Sequence, residues 1–310
     1  MTKRLTKGML ITASLSVGHQ DRTAVFVNLL REYGDILLSV LILTLIFNCL
    51  ELLAPAEKGQ AVSKRLCNLL YFPVALALGL LIQFLLAPSY SQALRLVRGG
   101  LLPEFINAQS SFAAKLLFTL FYAVVFDIWQ YWAHRLQHTI PFFWETHKFH
   151  HSETALNSST IARTHISSTL LFFILYLPVL LILGPQTPHF IGLFLMFKLW
   201  GFVNHTNVRL NLGPLTPIIS GPQWHRIHHS LYLEHRDKNL AAFFPFIDIL
   251  FGTYYRPLSN EYPPTGLHAE EGEGFLREAT IAPFSGWYKM TARRLGRLRS
   301  SRIVRLRDSI

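Results

Sequence analysis

Apolar residues along this chain gather into five long runs: Ile36–Leu50, Leu66–Ala87, Phe112–Trp132, Ser168–Leu183 and Phe190–Val203. Each is bounded by proline, glycine or charge, among them Pro55, Pro88, Gly184 and Pro185. Crossing the hydrocarbon core of a bilayer takes about 20 mostly apolar residues. A helix suits such a run because it satisfies its own backbone where lipid cannot. The pattern therefore predicts an all-α fold: an integral-membrane helical bundle. The fourth and fifth runs, parted only by residues 184–189, predict a hairpin that returns to the side it left, with Pro178 kinking its first arm. Trp129, Tyr131, Trp132 and Trp200 stand near run ends, where interfacial aromatics sit. The first residues carry Lys3, Arg4 and Lys7 ahead of a weak apolar stretch and read as an uncleaved tail.

Composition supports the membrane reading. Charged residues make up 15% of the 310, against roughly 25% in ordinary soluble domains. Apolar residues make up 51%, and the mean hydropathy is +0.30. Such a chain is neither disordered nor a typical soluble globule. Cys49 and Cys67 both lie in apolar stretches and give neither a disulfide framework nor a zinc ribbon. The net charge of +11 is concentrated at the end, where Lys289 to Ile310 holds eight basic residues and one acid, Asp308. In a membrane protein this tail suits an anionic lipid surface on the cytoplasmic side better than nucleic acid.

Histidine changes the picture most. Nine of the fourteen fall in four places: His134 and His138; His147, His150 and His151; His205; and His225, His228 and His229. Residues at i, i+3 and i+4 share a helix face, so each multiple group reads as an imidazole clamp. Asp127, Tyr131, His134 and His138 follow at steps of four, three and four, along one side of the third run as it leaves the membrane. Imidazole suits Fe, Zn, Cu and Ni and is a poor choice for Mg or Ca. Nine ligands are too many for one ion, whereas two metals of five or six positions each would use them and leave room for water or O2. Neutral imidazoles leave two dications largely uncompensated, so a hydroxide or nearby carboxylates are expected, with Asp127 and Asp237 the candidates. The chain lacks the Glu-x-x-His pairs of ferritin-like di-iron bundles, the HExxH of zinc peptidases and the GxSxG elbow of hydrolases.

The motifs Asp127–His138, Trp144–Ser152, His205–Val208, Gln223–Ser230, Asp237-Lys-Asn239 and Phe251-Gly-Thr253 together resemble the fatty acid hydroxylase superfamily, the sterol desaturase-like integral-membrane di-iron oxygenases. The likeness covers roughly residues 115 to 257. It implies a transmembrane four-helix core with a cytosolic helical cap that holds two irons through His134, His138, His147, His150, His151, His205, His225, His228 and His229. It also implies outer-sphere or substrate-mouth duty for Asp127, Tyr131, Arg163, His165, Asn207, Asp237 and Asn239. Two departures stand out. Arg209 occupies the place where some relatives carry a further histidine, and Asn239-Leu-Ala241 replaces Asn-aromatic-Gly.

The expected organisation is an N-terminal tail with the first spans (residues 1–110), a catalytic domain (111–257) and a basic tail (258–310). The expected activity is O2-dependent hydroxylation or desaturation of an unactivated lipid C–H bond. Neither a cytochrome b5-type His-Pro-Gly-Gly nor a cysteine set for Fe–S occurs in the sequence. Electrons are therefore expected from a separate donor of the ferredoxin or cytochrome b5 type. The competing class is a histidine-rich membrane metal transporter or metal-binding protein. Transport would want polar groups at mid-membrane, whereas these histidines lie at run ends.

Overall fold

The computed structural model describes residues 22–96, 111–168, 188–268 and 274–307, with a few positions between 170 and 178. Its helices are α1 (Arg22–Leu53), α2 (Val62–Leu96), α3 (Phe112–Thr139), α4 (Pro141–His151), α5 (Pro188–His205), α6 (Pro222–His228), α7 (Phe246–Phe251), α8 (Phe275–Thr280) and α9 (Ala282–Arg307). Among the described residues there are no strands, only two isolated bridges, Pro55 with Val208 and Ser230 with Thr265. The all-helical expectation holds.

Among the described residues, three helices are long and apolar enough to cross a membrane: Tyr33–Leu53, Val62–Leu86 and Phe112–Thr139. Their outer faces carry large exposed apolar side chains, such as Leu38, Leu45, Leu70, Leu85 and Leu117. An unbroken surface of this kind suits lipid rather than water. The fifth apolar run lies within α5, whereas most of the fourth falls outside the described residues, as do the tail before residue 22 and residues 308–310.

The turn between α1 and α2 is fastened to a cap of short helices and loops. Ala56 N–H donates to the Asn207 carbonyl, Arg209 N–H to the Ala54 carbonyl, and the Arg226 guanidinium pairs with Glu57 at 2.8 Å. The C-terminal end of α1, the N-terminal end of α2 and the C-terminal end of α3 thus all meet the cap. Residue 22 lies at the far end of the bundle.

Local chemistry bends the chain where the cap begins. Ser111 caps α3, its hydroxyl accepting from Ala114 N–H. Ile140, which precedes a proline, is extended at φ −99 and ψ 115, and Pro141 opens α4 at its first turn. This break folds α4 back against α3. Gly221 and Pro222 start α6 in the same way, and Gly252 closes α7 in the left-handed region at φ 76. Asp237 and Asn239 also take left-handed backbones, at φ 58 and 61. Their short polar side chains make them among the residues that tolerate it.

Two apolar clusters seat the cap on α3. Tyr122, Ala123, Phe126 and Phe197 form one, against Phe243 and Phe244. Tyr131, Trp224, Leu240, Ala241 and Ile247 form the other. Tyr131 is therefore not an interfacial aromatic: it is fully buried and stacked on Phe251 at 5.1 Å. Trp200 turns inward too, donating its indole N–H to Ser220.

Candidate metal centre

The break at Pro141 brings α3 and α4 face to face, and α6 and the end of α5 close over them. The nine histidines sort into two groups whose ligand-capable nitrogens lie within 4.8 Å of one another. Group one is His134, His138, His147, His151 and His228; group two is His150, His205, His225 and His229. The two groups adjoin, with the rings of His151 and His229 stacked at 4.3 Å.

This grouping corrects the clamp reading of the sequence. A three-histidine motif does not hold one ion. In α4 the i and i+4 residues, His147 and His151, face group one while His150 at i+3 faces group two. At α6 the roles reverse: His225 and His229 join group two and His228 joins group one. Residues at i+3 and i+4 diverge by about 100° around a helix, and that angle separates two adjacent centres. Arg209 lies beyond the end of α5 and sets its guanidinium 4.6 Å over the Tyr262 ring, away from the histidines. Group two therefore has one nitrogen donor fewer than group one.

Hydrogen bonds fix which ring nitrogen faces inward. His134 donates from Nδ1 to the Leu240 carbonyl at 2.7 Å, His205 to Gly201 at 2.6 Å and His228 to Lys238 at 2.9 Å. The Nε2 of each is then a bare lone pair. These lone pairs meet other imidazoles: His134 Nε2 lies 3.0 Å from His147 Nε2, which is 3.2 Å from His151 Nε2. His205 Nε2 lies 3.0 Å from His150 Nε2 and 3.1 Å from His225 Nε2. One proton on His147 could serve only one of its two neighbours. His138 Nε2, His228 Nε2 and both ring nitrogens of His229 are buried without any partner.

A cation resolves this arrangement. Metal–nitrogen bonds of about 2.1 Å at right angles hold neighbouring nitrogens about 3.0 Å apart. The donor set thus fits two transition-metal ions. Burial, reinforced by the neighbouring imidazoles, holds His147, His151, His225, His228 and His229 well below the ordinary imidazole range, which keeps them neutral and ready to ligate.

The supporting polar groups differ in part from those expected. Asp237 does approach a histidine, Oδ1 lying 3.3 Å from His138 Nδ1. Asp127 touches no imidazole. It accepts from Ala242, Phe243 and Phe244 N–H at 2.9, 3.0 and 2.6 Å. Asp248, not singled out in the sequence, accepts from Leu240 and Ala241 N–H at 2.7 and 2.9 Å and from the Thr253 hydroxyl. Two carboxylates thus hold five successive amides, and this strand of backbone carries the Leu240 carbonyl that orients His134. Tyr131 joins the same system through Thr253, with Arg135 donating to its hydroxyl. Asn239 donates to the Trp224 carbonyl and accepts from Tyr255 N–H.

Behind α4, Arg163 donates from Nε to the Phe149 carbonyl, also reaches Asn68 and Ser152, and lies 3.5 and 3.4 Å from Glu153 and Glu278. His165 faces away from both groups, bonded to Ser167 and to the Thr280 carbonyl. Asn207 bonds the backbone of Glu57. Glu51 was missed as well. Its buried carboxylate accepts from Ser158 N–H at 2.7 Å and Asn207 N–H at 3.0 Å and pairs with Arg65. A lone acid at the end of an apolar run, as Glu51 is and as Asp248 is within Phe246–Phe251, is the sequence mark that identifies both.

Comparison with known proteins agrees with this geometry. The fatty acid hydroxylase family model matches residues 119–253. Human alkylglycerol monooxygenase is 36% identical over 129 residues, covering 41% of this chain and 28% of that protein. Ornithine lipid hydroxylase OlsE of Rhizobium tropici is 32% identical over 162 residues, covering 52% and 49%. Methylsterol monooxygenase 2-2 of Arabidopsis thaliana is 29% identical over 141 residues, covering 43% and 51%. The chain thus spans about a quarter to a half of the length of these relatives. No solved structure is significantly similar. Every proposed ligand and both clamping aspartates lie inside the matched stretch, and residues 119–253 are accordingly a fatty acid hydroxylase domain within a membrane protein.

Proposed function

We propose that this chain is a membrane-bound di-iron oxidoreductase that hydroxylates, or desaturates, an unactivated C–H bond of a membrane lipid with O2 and two externally supplied electrons. The carrying observation is the pair of adjacent clusters of five and four imidazoles, spaced as metal ligands are. Relatives named monooxygenase and hydroxylase favour a redox metal over zinc. Bound iron would supply the O2 activation. For hydroxylation the balance is C–H plus O2, two electrons and two protons, giving C–OH and water.

The protein's own part is orientation and shielding. The carbonyls of Leu240, Gly201 and Lys238 set the tautomers of His134, His205 and His228, and Asp237 sets His138. Asp127 and Asn239 act one step further out, on the backbone around these groups; Tyr131 acts through Thr253, which bonds Asp248, and Asn207 ties the end of α5 to Glu57. Arg163 and His165 brace the segment that follows α4. Group two, with four nitrogens, leaves more room for a further ligand than group one. Eight basic residues in α9 support a cytoplasmic cap and tail. A ferredoxin or cytochrome b5 type protein would deliver electrons from that side.

Membranes from cells with and without the protein, grown with iron, test this. The expected result is about two irons per chain, O2 consumption with a reductant, and one lipid class gaining one oxygen or losing two hydrogens by mass spectrometry. An iron-loaded preparation that consumes no O2 with any membrane lipid and reductant overturns the reading.

A further inference from the structure

A cavity of about 280 Å³ adjoins group one, with His138, His151 and His228 in its wall. The rest of its lining is mixed: Trp144 and Leu267 are apolar, whereas Ser230, Arg236 and Asp237 are polar or charged. Its exposed members, Thr139, Pro141, Tyr232, Arg236 and His268, all lie at or after the last residue of α3. The mouth therefore opens on the cap side of the spans.

Depth decides what can enter there. The apolar run of α3 ends at Trp132, and its 21 residues match the thickness of the hydrocarbon. His138 follows six residues later, which at the helical rise is about 9 Å further along the axis. The headgroup band on each side of the hydrocarbon is only roughly 5–8 Å thick. Group one thus stands at the outer edge of the headgroup band. A carbon far down an acyl chain reaches this mouth only if the methylenes above it leave the hydrocarbon, at about fourfold in occupancy for each one. Ten methylenes amount to roughly a million-fold. A carbon next to the headgroup incurs no such loss.

We propose that the cavity receives the polar headgroup of the lipid, with Arg236 facing its phosphate or carboxylate, so that the carbon offered to group one lies within a few bonds of that headgroup. This rests on the oxidative function proposed above and adds the substrate class to it: a lipid chosen by its charged head and oxidised near it. The charge of Arg236 acts on both Asp237 and His138, and its guanidinium supplies the cationic side of the lining.

Two measurements separate the failure of this proposal from failure of the oxidative reading. The first uses the full-length chain without metal in neutral detergent, titrated with dihexanoyl phosphatidylglycerol by calorimetry. Binding is expected, weakened at least tenfold by Arg236→Gln and by Leu267→Trp, which fills the cavity, with 1-hexanol a poor competitor. Binding unchanged in both variants, or equal competition by 1-hexanol, overturns the proposal. The second locates the new oxygen or double bond in the lipid product by fragmentation. A position at the headgroup or its first carbons supports the proposal. A position deep in the chain overturns it and leaves the oxidase reading intact. Absence of any oxidised lipid alongside intact probe binding counts against the oxidase reading and, with it, against a substrate role for the cavity.

Discussion

Replacing Asp127 by asparagine separates the role of its carboxylate from its shape. Asp127 takes three amide donors: Ala242 on Oδ1, and Phe243 and Phe244 on Oδ2. Asparagine has one acceptor oxygen. With that oxygen at the Oδ2 position it still accepts from Phe243 and Phe244, but its NH2 then meets the Ala242 N–H. One lost hydrogen bond with its donor left unpaired costs about 2 kcal/mol, and weaker acceptance at the other two adds about 1 kcal/mol. A total of about 3 kcal/mol lowers the thermal midpoint by roughly 6–12 °C in a domain of this size. The loop that shifts also carries the Leu240 carbonyl bonded to His134. Loss of such an outer partner typically weakens metal binding 10–100-fold. Asp248 still holds Leu240 and Ala241, which places the expected loss near tenfold. Near-UV circular dichroism of the metal-free protein in detergent reads the first number, and chelator competition reads the second. A midpoint within 2 °C of the parent together with unchanged metal affinity would refute the argument that this carboxylate holds the loop.

Adjacent histidines of α4 should act on different metals. His150→Ala and His205→Ala, combined, lose no more iron than either alone, whereas His151→Ala with His205→Ala loses both irons, as counted per chain by mass spectrometry. Arg163→Met removes the cation shared by the buried carboxylates of Glu153 and Glu278 and should cost about 3–5 kcal/mol. Adding Glu153→Gln and Glu278→Gln should recover part of the lost midpoint. Acid should destabilise the metal-free protein. Burial holds His147, His151, His225, His228 and His229 below their unfolded value of about 6.5. Between the folded and unfolded values the unfolded chain binds the extra protons, so stability is full above pH 6.5 and falls as pH drops through it, by up to about 1.4 kcal/mol per unit for each histidine. A thermal midpoint no lower at pH 5.5 than at 7.5 would contradict this.

The first three spans and the nine histidines were legible because each is a local pattern: apolar length for the former, residue type at helical spacing for the latter. The partition of those histidines was not legible. Spacing puts i, i+3 and i+4 on one face but cannot say that two centres will sit in front of that face, close enough for i+3 to reach one and i+4 the other. The carboxylates divide in the same way. Asp237 adjoins a histidine motif and was identified as a partner. Asp127 shares the helix side of His134, which suggested a direct contact, but the loop 240–244 comes between them and takes its oxygens.

By itself, the sequence determined a helical membrane protein carrying a histidine-rich, metal-competent domain, because apolar runs and imidazole spacing are properties of single segments. Only the tertiary structure decided the division into five and four nitrogens, the anchoring of residues 240–244 by Asp127 and Asp248, and the attachment of the cap to α1 and α8 through Glu51 and Glu278. Those features are contacts between residues far apart in the chain. They depend on the angle at which the break before Pro141 returns α4 to α3, and no spacing along one segment records that angle.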